Sequence, residues 1–351
     1  MTLDDTIQAV TGPDEAAAEA AREHWDSLAK PLGSLGALED AVTKIAALTG
    51  SADVRLTRRS LLVFCADNGV VAQGVSQSGP DVTAAVAAAL GSGTSTVNYM
   101  ARAVNCAVFP VDMGILDFAG CPGVLDRRVR NAAGDISLGP AMTREECVRA
   151  IETGVDLVRM RRDAGDDILL LGEMGIGNTT TSCAVIGALL GLPAADIAGR
   201  GAGLSEDGLR RKIRAVDRAL AVNRPDPADP VDVLQKVGGL DLAALCGAVI
   251  GGALYRVPVL LDGLITNAAA LCAVRLCPAA GKAILASHIS AEPAAQILLS
   301  ALSLQPLLCA GLRLGEGSGA AAALPLLDQA LAVYNSGHTF GNLGIDAYTP
   351  Q

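Results

Sequence analysis

A parallel α/β fold is expected from three features of this 351-residue chain. Short apolar runs recur along it, most of them ending in Gly, Asp or Asn. Most lead into alanine-rich stretches of helical pattern. The runs are continuous rather than alternating, as strands covered by helices on both faces must be. Composition agrees: 51% hydrophobic and 18% charged residues exclude a disordered chain and allow a substantial core.

Taken in order, residues 14–49 read as helices, interrupted at Lys30-Pro31-Leu32-Gly33. Asp14 is placed to cap the first, with Glu15 near its positive end. From about residue 58 the strand–helix grammar begins. SLLVFCADNG precedes DVTAAVAAAL; CAVFPVDMG is next; DDILLLGEMGIGNTTTSCAVIGALLG follows. VPVLLDGLITNAAALCAV, KAILASHIS and CAGLRLGEGSGAAAALPLLDQAL complete the series, the last read as strand into helix. Asn223–Pro230 is a Pro/Asp-rich linker. The uninterrupted apolar piece Leu242–Tyr255 is too short to span a bilayer and reads as buried core. In such sheets ligands bind beyond the carboxyl ends of the strands. Asp67, Asn68, Asp112, Glu173, Asp262, His288 and Glu316 all stand at those ends.

Charge and cysteine usage narrow the partners. A net charge of -10 argues against nucleic acid and anionic membrane surfaces, though backbone amides and one lysine can still hold a single phosphate. Three histidines leave little for a histidine-built metal site. Nine scattered cysteines with no C-x-x-C pair indicate buried free thiols in a reducing compartment. The acidic N-terminus has no secretory pattern, so a cytoplasmic location is expected.

Three glycine-rich segments carry the chemistry. Gly172-Glu173-Met174-Gly175-Ile176-Gly177-Asn178-Thr179 lets backbone approach a ligand and presents a helix start suited to phosphate. A plain glycine turn with a capped helix fits it equally well. Its G-x-x-G-x-G order is not the dinucleotide fingerprint, and Asp196 ends no strand, so dinucleotide binding is disfavoured. Gly199-Arg200-Gly201-Ala202-Gly203 leads to a second helix start at Ser205. Lys212 and its arginine neighbours there fit either a phosphate pocket or a solvated face. In Leu314-Gly315-Glu316-Gly317-Ser318-Gly319 the carboxylate serves either the helix dipole or catalysis. His288 and Glu292, four residues apart, fit a hydrogen-bonding role better than a metal pair. Asp166-Asp167 precede their strand, unlike the acidic pair that binds a pyrophosphate-bound metal. Kinase, ATPase and serine-hydrolase motifs are missing.

Seven ordered motifs carry a resemblance over essentially the whole chain: KPLGSLG (30–36), ADNGV (66–70), GEMGIGNTT (172–180), GRGAGL (199–204), LDG (261–263), SHISAEP (287–293) and LRLGEGSG (312–319). Together they resemble the nicotinate-nucleotide–dimethylbenzimidazole phosphoribosyltransferase family of cobamide (vitamin B12) synthesis. The resemblance implies a Rossmann-like large domain over residues 51–320 and a small helical domain from residues 1–50 and 321–351. It also implies a homodimer and a reaction without cofactor or metal. Nicotinate mononucleotide would donate phosphoribosyl to 5,6-dimethylbenzimidazole, giving α-ribazole 5'-phosphate and nicotinate. Glu316 would be the base that takes the azole proton, and Glu173 would stabilise the cationic ribosyl transition state. Gly175, Asn178, Thr179, Gly201 and Lys212 would lie on the phosphate and ribose side. Ser78, Met174 and Leu314 would face the acceptor base. Asn68, where many members have His, and Val82-Thr83-Ala84-Ala85-Val86, where many have a glutamine, depart from the pattern. They open the acceptor slot to adenine, benzimidazole or phenolic bases. The glycine-rich helix starts alone would also suit a non-catalytic mononucleotide-binding protein.

Overall fold

The computed structural model describes residues 2–348. The chain opens with three helices, α1 (Leu3–Ala9), α2 (Glu15–Ser27) and α3 (Ala37–Thr49). Strand β1 (Arg59–Ala66) starts the sheet, followed by α4 (Asp81–Ser92), α5 (Thr96–Ala103), β2 (Cys106–Gly114) and the two-residue β3 (Leu125–Asp126). Helix α6 (Arg144–Asp163) leads to β4 (Ile168–Met174), α7 (Asn178–Leu190), α8 (Ala194–Ile197), α9 (Glu206–Asn223), α10 (Pro230–Val237) and α11 (Leu240–Tyr255). The remainder runs through β5 (Val259–Leu261), α12 (Leu264–Leu276), β6 (Ile284–His288), α13 (Ala295–Ala301), β7 (Pro306–Leu308), α14 (Ser318–Tyr334) and α15 (Phe340–Leu343).

All paired strands are parallel, in the order β3-β2-β1-β4-β5-β6-β7. The parallel α/β architecture expected from the continuous apolar runs is therefore observed. The order reverses direction between β1 and β4. At such a switch point the two flanking connections leave on opposite faces, opening a crevice at the carboxyl ends.

Side-chain alternation along β1 divides the core. Leu62 and Phe64 join a cluster with α6, α7, α11 and α12, whereas Leu61, Val63 and Cys65 join one with α2, α3, α5 and α14. Helices from both chain ends thus share a layer on one sheet face. Within it, Ala29 N–H donates to His338 O at 2.9 Å, and the Tyr334 hydroxyl donates to Ala52 O at 2.9 Å. On the other face α6 and α11 touch through backbone: a Cβ on Gly247 would lie 1.8 Å from Ile151 O. Leu242–Tyr255 is largely buried inside α11, and among the described residues no helix is long and apolar enough to cross a membrane.

Two local expectations need correction. CAGLRL is not a strand: the seventh strand is Pro306–Leu308, and residues 309–317 are irregular. Gly311, Gly315, Glu316 and Gly317 all have positive φ, which extended structure does not permit. The cysteines are all free, but Cys309 is exposed and Cys121 half-buried, leaving seven buried. The Asp14 and Ser205 caps form as expected, accepting from Ala17 N–H at 2.9 Å and Gly208 N–H at 3.1 Å.

Candidate active site

The principal cleft opens beyond β4, β5 and β6, beside the switch point. Its wall includes Glu173 and Met174 at the end of β4, Gly175, Asn178 and Thr179 after it, Asp262 after β5 and His288 at the end of β6. Gly201, Ser78, Leu314 and Glu316 complete it from loops. Nine of the ten expected site residues are therefore brought to one cleft. Lys212 alone stands behind the surface.

Glu173, next to the last residue of β4, is buried and is held from below. The Asn178 side-chain amide donates both to Glu173 Oε2 and, at 3.1 Å, to Asp241 Oδ2. Burial pushes the Glu173 carboxyl well above its ordinary range, and the nearby Asp241 charge adds to the shift. Asp241, wholly buried at the start of α11, is itself pushed up to about 6 by burial. Sequence reasoning overlooked Asp241. A single carboxylate at the head of an otherwise apolar helix was the available signal.

Glu316 reaches the same cleft through a strained turn. Its φ is 61°, between Gly315 at 89° and Gly317 at 86°. A non-glycine residue held there costs about 1–3 kcal/mol, which the surroundings must offset. The Glu316 N–H donates to Glu173 O at 3.1 Å. The turn also presses on β4 where there is no side chain: a Cβ on Gly172 would lie 2.5 Å from the Glu316 carbonyl carbon. Glu316 Oε2 is buried without a hydrogen-bond partner among the described residues. Burial pushes this carboxyl up, partly offset by the Val97 amide and Ser95 hydroxyl at the head of α5.

The opposite side of the cleft suits an anion. No side chain caps α7, whose N-cap is Gly177 at φ 94°, so its positive end faces the cleft. Asn178 does not cap the helix; its side-chain amide turns to the two carboxylates instead. Lys212 is fully buried, overturning the solvated-face alternative, while its neighbour Arg210 is exposed. Its ammonium donates to Thr179 Oγ1 at 2.9 Å and Gly199 O at 3.0 Å, and pairs with no carboxylate among the described residues. A buried cation so placed is electrostatically incomplete without an anion. Gly201 N–H donates to Glu292 Oε1 at 3.0 Å, so Glu292 braces the second glycine loop, as the hydrogen-bonding reading expected. No cluster suited to a metal ion occurs among the described residues.

Part of the cleft wall is apolar. Val75, Val82, Val86, Met174 and Leu314 line it, with Ser78 and Gln77 as polar neighbours. Val86, one of the departures from the family pattern, does lie on this wall; Ala85 is exposed and turned away. Asn68 is not in the slot at all. It is buried beneath the start of α7, against Gly177, Gly239 and Thr181. Asp67 and Asp112, also placed at strand ends, are structural. Asp67 accepts from Thr83 Oγ1 at 2.6 Å and Leu116 N–H at 2.9 Å, and Asp112 pairs with Arg128 at 2.7 Å.

Comparison with known proteins agrees with this geometry. A family model described as "Phosphoribosyltransferase" matches residues 10–345. The nicotinate-nucleotide–dimethylbenzimidazole phosphoribosyltransferase of Ruminiclostridium cellulolyticum is 43% identical over 350 residues, covering 100% of this chain and 99% of that protein. The enzyme of the same name from Acetivibrio thermocellus is 45% identical over 326 residues, 93% of each chain. A crystal structure of CobT from Thermus thermophilus superposes with a TM-score of 0.89 at 40% identity, covering 94% of this chain and 99% of that one. Since model and relatives alike extend over nearly the whole sequence, the chain belongs to the nicotinate-nucleotide–dimethylbenzimidazole phosphoribosyltransferase family.

Proposed function

We propose that this phosphoribosyltransferase moves the phosphoribosyl group of nicotinate mononucleotide to 5,6-dimethylbenzimidazole. One observation carries the reading: two carboxylates with raised pKa, Glu173 and Glu316, share a cleft whose far side offers an uncapped helix start backed by a buried, unpaired ammonium. The phosphate is assigned to Gly175, Asn178, Thr179 and Gly201, with Lys212 charging that side from behind. The base stacks within the apolar wall of Met174, Leu314 and Val86, near Ser78.

The chemistry balances without a metal. The imine-type nitrogen of the azole attacks the anomeric carbon, and the bond to the pyridinium nitrogen breaks. Its electron pair returns to the ring, which leaves as neutral nicotinic ring. The azole N–H proton passes to Glu316, while Glu173 faces the positive charge that grows on the ribosyl group. The product is an α-linked ribotide.

The test is direct. Incubation with nicotinate mononucleotide and dimethylbenzimidazole is expected to release nicotinate and α-ribotide in equal amounts, separated by chromatography. Failure with dimethylbenzimidazole, benzimidazole, adenine and phenol alike would remove the reading in favour of simple nucleotide binding.

We also propose a homodimer in which the helices of residues 1–50 and 321–351 act as the small domain, resting on the family resemblance and on the contacts between the two chain ends. Light scattering is expected to give twice the chain mass of 35.5 kDa; a single-chain mass would overturn it.

A further inference from the structure

Asp262 stands one residue beyond β5, buried at the edge of the cleft. Its Oδ1 accepts from the N–H groups of Gly319 at 2.7 Å and Ala320 at 3.3 Å, and its Oδ2 from Gly317 at 3.1 Å. All three amides belong to the turn that opens α14. That helix has no side-chain cap of its own, since Gly317 holds the N-cap position. A carboxylate from the loop after β5 therefore does the capping.

The same turn contains Glu316, in a left-handed run from Gly315 to Gly317 that must be held from outside. On one side β4 holds it, through the Glu316 N–H bond to Glu173 O and the close approach at Gly172. On the other side Asp262 supplies the only side-chain bonds to the backbone of residues 315–320 among the described residues. The β4 contacts are backbone and survive most substitutions. The Asp262 contacts are the ones a side chain decides.

We propose that Asp262 is a positioning residue for phosphoribosyl transfer: its two oxygens fix the α14 turn so that the Glu316 carboxyl is presented to the acceptor base. The inference rests on the reading of Glu316 as the base. It also explains why a carboxylate stands at this point. Both oxygens accept from backbone N–H groups, whereas an amide would turn an NH₂ group toward one of those donors.

His288 contributes to the fit. The Ser287 hydroxyl donates to Asp262 O at 3.1 Å, so at 3.0 Å from His288 Nδ1 it serves as acceptor, and Nδ1 carries the hydrogen. That N–H edge lies 3.9 Å from Asp262 Oδ1 and presses on Gly319, where a Cβ would lie 1.9 Å from Nδ1. His288 thus borders the oxygen that accepts from Gly319 and Ala320.

The test is a double-mutant cycle read in kcat and KM, with melting temperature as a check on folding. Asp262→Asn is expected to lower kcat by about 10²-fold, the cost of a catalytic group misplaced by about 1 Å. KM for nicotinate mononucleotide is expected to stay within about threefold, because the substitution leaves ground-state binding intact. In a Glu316→Gln background the same change should cost less than about threefold, since it acts through a base already removed. An undiminished kcat overturns the proposal. So does a full additional loss in the Glu316→Gln background, or a rise in KM alone, either of which would mean that Asp262 meets the substrate directly. If Asp262→Asn does not fold, Asp262→Ser keeps one acceptor, leaves room for water and is read in the same way. Failure of the Glu316 reading is separable, because Glu316→Gln alone would then keep full turnover.

Discussion

Glu316→Gln is expected to lower kcat by about 10²–10⁴-fold, the usual worth of a positioned general base, with KM for nicotinate mononucleotide almost unchanged. Gln keeps the size and the turn but cannot take the azole proton. The pH dependence gives a second readout whose sign follows from the burial of the carboxyl. A base works only when ionised, and burial raises the Glu316 pKa above its ordinary value of 4.5. Wild-type kcat/KM should therefore rise with pH through a limb above the usual glutamate range and then level. Below that limb the carboxyl is protonated and idle. The variant should lose most of the rate and the Glu316 share of that limb, while the ionisation of Glu173 remains. Steady-state nicotinate release across a pH series measures both. A variant that kept its turnover would take Glu316 out of the mechanism.

Much of this site was legible because two kinds of signal coincide in it. Continuous apolar runs mark buried parallel strands, and glycine clusters mark where backbone must come close to something. Where both meet, at ILLLGEMGIGN, strand, turn and helix lie where the pattern placed them. Where glycines act on conformation instead, the pattern misleads. Leu312 and Leu314 look like strand residues, yet Gly311, Gly315 and Gly317 turn the chain through left-handed conformations that deliver Glu316 sideways. Tertiary support was less visible still. Asp241 reads as a minor polar interruption in an apolar helix, and only the fold brings it to Asn178. Lys212 sits among exposed arginines in sequence, and only the packing of α9 against α7 turns it inward. Asn68 is adjacent in sequence to cleft-forming loops but is covered by the start of α7.

Glu173→Gln is expected to lower kcat by about 10²–10³-fold, comparable to removing a preorganised electrostatic contact from a transition state. The isostere can still accept from Asn178, so the floor of the cleft should persist and the loss should come from charge alone. The physical argument lies in the environment of the carboxyl. In the free protein, burial and the Asp241 charge push its pKa well upward, favouring the protonated form. Nicotinate mononucleotide carries a pyridinium cation next to its anomeric carbon, and a cation brought close to Glu173 favours the ionised form again. Binding the donor should therefore expel a proton, leaving an anion beside the carbon where positive charge grows as the pyridinium departs. Calorimetric titration of the donor in buffers of different ionisation enthalpy would show that release in the wild type and its loss in the variant. Proton release that persisted in Glu173→Gln would have to come from another group. Turnover within about threefold of wild type would leave Glu173 only the part of a brace for Asn178. The paired carboxylates would then differ in kind, with Glu316 taking a proton and Glu173 merely holding the floor. The two outcomes are separable because an ionising Glu173 predicts proton release that disappears in Glu173→Gln, whereas a brace predicts no such loss.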